Sequence, residues 1–353
     1  MGQAASGTAG ASGGGSRGPA RPTLEEVAAL AGVGRGTVSR VVNGSPRVSD
    51  KARAAVQAAI AELGYVPNRA ARALVTSRTD AVALVVPEAE TRLFSEPYFS
   101  DIISGVAAEL SETDMQLLLI LVRNQRERDR LATYLAAQRV DGVLLVAVHR
   151  DDPLPGLLES LEIPSVLAGR RNDHEVLSYV HADNAGGARM AVRHLLRRGC
   201  AQVATITGPL DMEVALARLD GYRRALEEAG RPYDEDLVAL ADFTEEGGRR
   251  AMRTLLERRP DLDAVFCASD VMAAGAMQVL RGAGRRVPDQ VAVIGFDDSI
   301  VARHTEPPMT SVRQPIEEMG RTMARLLLEE IAGRHRGSRQ VVLATELVVR
   351  DSA

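Results

Sequence analysis

The chain has no tryptophan, two cysteines and five phenylalanines, and aromatic residues make up only 3% of its 353 positions. Two thiols, Cys200 and Cys267, give no disulfide framework, and the six histidines show no zinc-ligand spacing. No stretch has the length of a membrane span. The first twenty residues, mostly Gly, Ala and Ser, lack the apolar segment of a signal peptide and read as a disordered tail. A cytoplasmic protein with no membrane partner is expected. Catalytic signatures are missing too: there is no G-x-S-x-G elbow, no Walker loop and no HExxH. Gly282-Ala283-Gly284 precedes a strand pattern rather than following one, so it makes no dinucleotide fingerprint. Asp297 and Asp298 are adjacent on a strand and should point to opposite faces, which does not suit acid–base work. Neither enzyme nor cofactor is expected.

What is present begins with an uneven charge. The whole chain carries −4, yet residues 21–79 hold nine Lys/Arg against four Asp/Glu, a net +5, while residues 80–353 carry −10. A basic head on an acidic body suits phosphate binding without indiscriminate sticking. Within the head, TLEEVAALAGVGRGTVSRVVN (23–43) reads as helix, tight turn and second helix. Thr23 and Glu26 form a capping box. Leu24, Val27, Ala28, Leu30 and Ala31 supply an apolar face, and Gly32-Val33-Gly34 breaks it. The second helix buries Val38, Val41 and Val42. It leaves Arg35, Thr37, Ser39, Arg40 and Asn43 outside, residue types that bond base edges and phosphates. An ordinary helical hairpin with a solvated face is the structural alternative. Val48-Ser49 opens a third helix to about Leu63, stopped by Gly64. Pro67-Asn68 then caps a short Ala-rich helix to about Thr76, too short to be stable alone. Its small face (Ala70, Ala71, Ala73, Leu74) suits packing against a copy of itself; a plain linker is the alternative.

From residue 81 onward, apolar runs of strand length alternate with amphipathic helices. The runs are 81–87, 115–122, 141–148, 163–169, 178–183, 202–208, 236–243, 263–270 and 291–298. They lack polar alternation, so they predict parallel strands covered on both faces. Nine or more strands exceed one ordinary sheet. The expected fold is therefore α/β: a three-helix helix-turn-helix domain (21–65), a hinge helix and linker (66–80), and two doubly wound parallel-sheet subdomains over 81–353. The first should take about 81–182 and 311–340, the second about 183–310 and 341–350. Ligands in such folds bind beyond the carboxyl ends of strands. Asp183, Ser269, Asp270 and the pair Asp297–Asp298 stand at such ends. Phe94, Tyr98 and Phe99 follow the first strand, and Glu96 and His149 are placed to line the same cleft. Asp183 and Asp270 could equally cap the helices they precede.

These segments resemble the LacI family of bacterial repressors over roughly residues 21–349. The resemblance is carried by TLEEVAALAGVGRGTVSRVVNG, VS at 48–49, LGYVPNRAARAL at 63–74 and the body segments above. It implies a periplasmic-binding-protein-like body and a homodimer or larger assembly on a palindromic double-stranded DNA operator, associated with the nucleoid. Major-groove readers would fall on Arg35, Gly36 and Arg40, and a minor-groove wedge on Leu74. Thr23, Ser39, Asn43 and Asn68 match backbone-contacting positions, and Ser49 joins the DNA-contacting set through the VS motif. Gly34 stands where many members have Ser, and Gly36 has no side chain to read a base. The first departure removes a cap, at a cost of only a few tenths of a kcal/mol, and a phosphate bond; the second puts more of the specificity on Arg35 and Arg40. In the body, Arg218 matches a position that clamps ligand oxygens and Phe243 one that sets a ring against a pyranose. The implied function is a transcriptional repressor released by a small carbohydrate. The segments EPYFSDIISGVAAEL, DMQLLLI and YLAAQRVDGVLLV are similar to actinobacterial regulators responding to cellobiose or cello-oligosaccharides. A regulator with a purine, nucleoside or sugar-phosphate corepressor and an exported sugar receptor are the rival readings. The basic head argues against the receptor.

Overall fold

The computed structural model describes residues 22–42, 45–66, 78–88, 90–172, 174–334 and 337–353. The chain divides into two units, residues 1–79 and 80–353. The expected tail, hinge helix, Asn43, Asn68 and Leu74 lie outside the described residues.

In the first unit, α1 (Leu24–Ala31), α2 (Arg35–Val42) and α3 (Asp50–Leu63) pack into one small core. Thr23 starts α1 as anticipated: Glu26 donates its amide to Thr23 Oγ1, and the Thr23 amide donates to Glu26 Oε2 at 2.7 Å. Gly32 ends the helix at φ 64°, a left-handed position that costs other residues more. Ser49 caps α3 and Gly64 closes it. Val27, Val38, Val41, Val56, Ala59 and Tyr65 form the buried centre.

The second unit holds two six-stranded sheets. The strands are β1 (Ala81–Val86), β2 (Gln116–Leu121), β3 (Gly142–Leu145), β4 (Ser165–Ala168), β5 (Ser178–Ala182), β6 (Val203–Thr207), β7 (Val238–Leu240), β8 (Ala264–Cys267), β9 (Ala292–Asp297), β10 (Thr310–Arg313), β11 (Gln340–Leu343) and β12 (Glu346–Val348). The first sheet runs β11-β5-β4-β3-β1-β2 and the second β12-β10-β9-β8-β6-β7. Every pairing is parallel except β10 with β12. Thus β10 still belongs to the second sheet and β11 to the first. The chain crosses back after Arg313 and again after Leu343, a few residues beyond the expected positions. The expected strand over 236–243 is only β7, preceded by a 3₁₀ turn at Glu235–Leu237, so Phe243 lies past the strand.

The helices of this unit are α4 (Glu90–Ser95), α5 (Pro97–Leu110), α6 (Gln125–Ala136), α7 (Leu154–Ser160), α8 (Asn184–Arg197), α9 (Glu213–Glu228), α10 (Glu245–Arg258), α11 (Asp270–Gly282), α12 (Ile300–His304) and α13 (Ile316–Ile331). They cover the sheet faces, which explains the unbroken apolar strands: β3, β4, β6 and β8 are buried at every residue. In the first lobe, α5 and α13 pack backbone to backbone. A Cβ on Gly105 would stand 2.0 Å from the Glu317 carbonyl oxygen. Among the described residues no helix is long and apolar enough to cross a membrane.

Candidate functional site

The head presents one face of α2. Arg35, Gly36 and Arg40 are exposed, Thr37 and Ser39 half-buried, because Val38 and Val41 turn inward. Thr23 and Ser49 are exposed at the starts of α1 and α3, so two helix starts and one helix face carry the described candidate contacts. Arg35 is held 3.2 Å from Glu25 of α1, both largely solvent-exposed, a contact of little energy that a phosphate or base can replace. A Cβ at Gly34 or Gly36 would meet nothing within 4 Å. The fold does not require glycine at either position.

In the body, a cleft between the lobes holds about 690 Å³ free of protein atoms, its open mouth included. The strand ends build it, as the fold rule demands. Tyr98, Arg218, Phe243, Ser269 and Asp297 all line it, together with Phe99 and Glu96. Asp297 ends β9, and Arg218 of α9 stands 3.8 Å from its Oδ1. Gln314 donates to the same oxygen at 2.6 Å. Arg218 is itself fixed: its Nε donates to Asn184 Oδ1 at 2.8 Å, its Nη1 to the Ala268 carbonyl, and its guanidinium lies 3.8 Å from the Phe296 ring centre. A clamp held this way loses little rotamer freedom when it meets a ligand.

The neighbouring carboxylate goes elsewhere. Asp298 accepts from Arg313 Nε at 2.7 Å and from Arg350, out of the cleft. Asp297 and Phe243 both take positive φ, 114° and 63°. Such backbone costs energy in residues other than glycine, and here it turns both side chains into the cleft. Phe243 also needs Gly208 at the end of β6, where a Cβ would lie 2.1 Å from the ring's Cζ. Arg92 stacks 5.1 Å from the centre of that ring and donates to Glu96 Oε1 at 2.6 Å.

Burial dominates the electrostatics. It pushes the Glu96 carboxyl up to about 7 against the opposing pull of Arg92. Asp297 is raised by the same cause, and Arg218 beside it works in the opposite direction. Burial raises the Tyr98 phenol, which stays a neutral hydroxyl. His181 on β5, also lining the cleft, is lowered by burial and so favours the neutral ring.

With the geometry in place, comparison with known proteins is decisive. The description "Bacterial regulatory proteins, lacI family" matches residues 23–68, and "Periplasmic binding protein-like domain" matches 192–353. The HTH-type transcriptional regulator CelR of Thermobifida fusca is 57% identical over 334 residues, covering 94% of this chain and 98% of that one. The chain belongs to the lacI family of bacterial regulatory proteins. This lacI-family chain is also 32% identical over 333 residues to the repressor CytR of Escherichia coli strain K12, covering 94% and 96%. Among solved structures, a CelR–cellobiose complex superposes with a TM-score of 0.77 at 55% identity, covering 94% of this chain and all of that one. A lac repressor dimer bound to operator and an anti-inducer gives 0.82 at 26%, covering 94% and 99%. A DNA-binding transcriptional regulator, not an enzyme, is the class these findings establish.

Two expected ligand residues of this lacI-family body stand outside the cleft. Asp183 caps α8, accepting from the Gly186 amide at 2.9 Å, and its side chain faces a different surface groove. His149 is occupied by protein: one ring nitrogen lies 3.0 Å from Glu88 Oε1 and the other 2.7 Å from Asp211 Oδ2. Phe94 is 81% exposed and does not join the cavity lining. Asp270 is no cap; Ser269 caps α11, while Asp270 is buried and accepts from the Ser299 amide at 2.7 Å and the Ser311 hydroxyl at 2.5 Å. Sequence reading missed Arg92, Arg170, His181, Asn184, Glu213 and Gln314. A histidine inside the apolar run SYVHAD was the one signal available.

Proposed function

We propose that this protein is a repressor that binds a palindromic operator as a homodimer and leaves it when a neutral sugar, cellobiose or a cello-oligosaccharide, enters the cleft. The observation that carries the reading is a balance of charge. Three guanidinium groups line the cavity, Arg92, Arg170 and Arg218, and each has a carboxylate of the same cavity beside it: Glu96 at 2.6 Å, Glu213 at 3.0 Å and Asp297 at 3.8 Å. A phosphate would meet a carboxylate at every cation. A sugar hydroxyl, which donates and accepts at once, uses both members of each pair in charge-assisted bonds. Phe243 supplies an apolar ring for the C–H face of a pyranose. The bound sugar of the CelR complex agrees with this chemistry. On the DNA side, Arg35 and Arg40 read bases in the major groove, Thr23, Thr37, Ser39, Asn43, Ser49 and Asn68 hold the backbone, and Leu74 wedges the minor groove. Release is a population shift: sugar favours one arrangement of the two lobes, and that arrangement spaces the paired heads differently from two half-sites one helical turn apart.

Calorimetric titration tests the ligand class. Cellobiose should bind, and glucose 6-phosphate and adenosine should not. Binding of the phosphate or the nucleoside with cellobiose inert would sink the carbohydrate assignment and favour the corepressor reading.

A further inference from the structure

The polar residues of the cleft fall into two groups. In the first, Tyr98 lies within electrostatic reach of Asp297, Arg218, Arg92 and Glu96. In the second, His181 lies within reach of Glu213 and Arg170. The groups differ in how they relate to the lobes. Arg92 and Glu96 both belong to the first lobe, and Arg218 and Asp297 both to the second. Arg170 follows β4 of the first sheet, whereas Glu213 opens α9 of the second lobe, so this pair crosses between them. Among the described residues it is the one ion pair lining the cavity that does so.

The second group is built to hold hydroxyls. The two hydrogen bonds from Arg170 to Glu213, 3.3 and 3.0 Å, both fall on Oε1, which turns Oε2 toward a ligand as an acceptor. Glu213 sits in the first turn of α9, so its side chain is carried by the second lobe's helix directly at the cavity wall. Gly169, at φ 95°, also lines the cavity and turns the chain just before Arg170. Apolar Met212 and Val214 flank Glu213 on the same wall. The second group thus offers a charged pair, an imidazole and an apolar wall, where the first offers two charged pairs, the Tyr98 phenol and the Phe243 ring.

We infer that Arg170, Glu213 and His181 form a second sugar subsite, which takes the second ring of a neutral disaccharide and makes the regulator answer to two rings rather than one. The inference rests on the neutral-sugar reading above and deepens it. A single ring clamped by Asp297, Arg218 and Phe243 also faces Tyr98 and Arg92 of the first lobe, but it leaves untouched the ion pair that joins the two lobes. A second ring reaching Arg170 and Glu213 touches both lobes at a contact they share. A ligand shifts an equilibrium only by its difference in affinity for the two states. Contacts that exist only when the lobes meet supply that difference.

The alternative is a plain latch that joins the lobes and touches no ligand. Calorimetry on the full chain separates the two, using cellobiose and methyl β-D-glucopyranoside as two-ring and one-ring probes. Wild type should bind cellobiose at least a hundredfold more tightly than the methyl glucoside. Glu213→Gln and Arg170→Ala should each lose at least tenfold in cellobiose affinity and keep the methyl glucoside affinity within twofold. Operator binding without sugar serves as the check that both variants fold. An equal loss for both probes identifies a latch and overturns the subsite, as does unchanged cellobiose binding in both variants. A wild type that binds neither probe overturns the neutral-sugar reading and the subsite with it. A Glu213→Gln loss confined to cellobiose supports the subsite.

Discussion

The Arg218 guanidinium stands 3.8 Å from Asp297 Oδ1, with both side chains buried at the strand ends of one lobe. Neither is free to swing away: Asn184 and Ala268 hold the arginine, and Gln314 holds the aspartate. A hydroxyl entering between them donates to one and accepts from the other. Asp297→Asn removes the charge and keeps the shape. Its cellobiose affinity should fall about ten- to hundredfold, the value of a charge-assisted bond of roughly 1.5–3 kcal/mol. Operator affinity without sugar should stay as in wild type. Titration of both ligands on one preparation checks this, and a parallel loss of operator binding would contradict it.

Gly208 lies under the Phe243 ring. Because a Cβ there would come within 2.1 Å of Cζ, Gly208→Ala must displace the ring, and Phe243 is already held at positive φ. Sugar affinity should drop at least tenfold with the head untouched. Phe243→Leu, which keeps an apolar contact but no flat face, should lose less than Gly208→Ala if displacement also disturbs Arg92, which stacks on the same ring. Titration of the two variants side by side ranks them.

His149 links the lobes outside the cavity. Its ring lies between Glu88 of the first lobe and Asp211 of the second, and the Arg150 amide donates to the Asp211 carbonyl at 2.8 Å. The Glu88 hydrogen bond is the largest influence holding its pKa above the ordinary 6.5, with Asp211 adding to it; burial opposes both, and Arg92 shares Glu88. The stabilisation is therefore complete below about pH 6.5 and is lost as pH rises through the raised value. Glu96, raised to about 7, also weakens the fold as pH climbs from its ordinary range, but it does so equally in a His149→Asn variant. The melting temperature of wild type should exceed that of His149→Asn most below pH 6.5, and the gap should close as pH rises above it. A constant gap would refute the charged link.

Two helices of the first lobe have no room for a side chain where they cross. Gly105→Ala would put a methyl 2.0 Å from a backbone oxygen of α13, and backbone cannot step aside cheaply. Overpacking of this kind costs about 1–3 kcal/mol. Urea unfolding of the isolated variant should show that loss, and a midpoint equal to wild type would mean the helices separate freely.

In the head, Arg35 and Arg40 are exposed and carry no part of the core. Each alanine variant should leave the melting temperature unchanged. Each should weaken the operator complex by roughly 1–3 kcal/mol if it reads a guanine, with the loss confined to that base pair. Competition among operators altered one base pair at a time measures it.

The fold was legible where one physical rule acts alone. Runs such as 141–148 and 263–270 are apolar on both faces because helices cover both faces, and they fall at β3 and β8. The capping box at Thr23 and the glycine stops at 32 and 64 are local chemistry and needed no tertiary context. The short strands β11 and β12 were not legible, being half-exposed and only four and three residues long. In the cleft, Asp297 was visible as a carboxylate ending an apolar run, and Arg218 and Phe243 through family resemblance. Arg170 and Glu213 were not: on their own they look like solvated charges, and their pairing spans 43 residues of chain. His149 and Asp183 show the opposite error. Each stands near a strand end, yet satisfies protein partners instead of lining the cavity.

The most direct test is fluorescence anisotropy of a labelled palindromic operator at fixed salt, titrated with cellobiose against wild type and Asp297→Asn in parallel. Cellobiose should dissociate the wild-type complex, and the Asp297→Asn complex should persist at the same sugar concentrations. Release of both complexes at equal concentration, or of neither, would contradict a sugar-operated cleft built on Asp297.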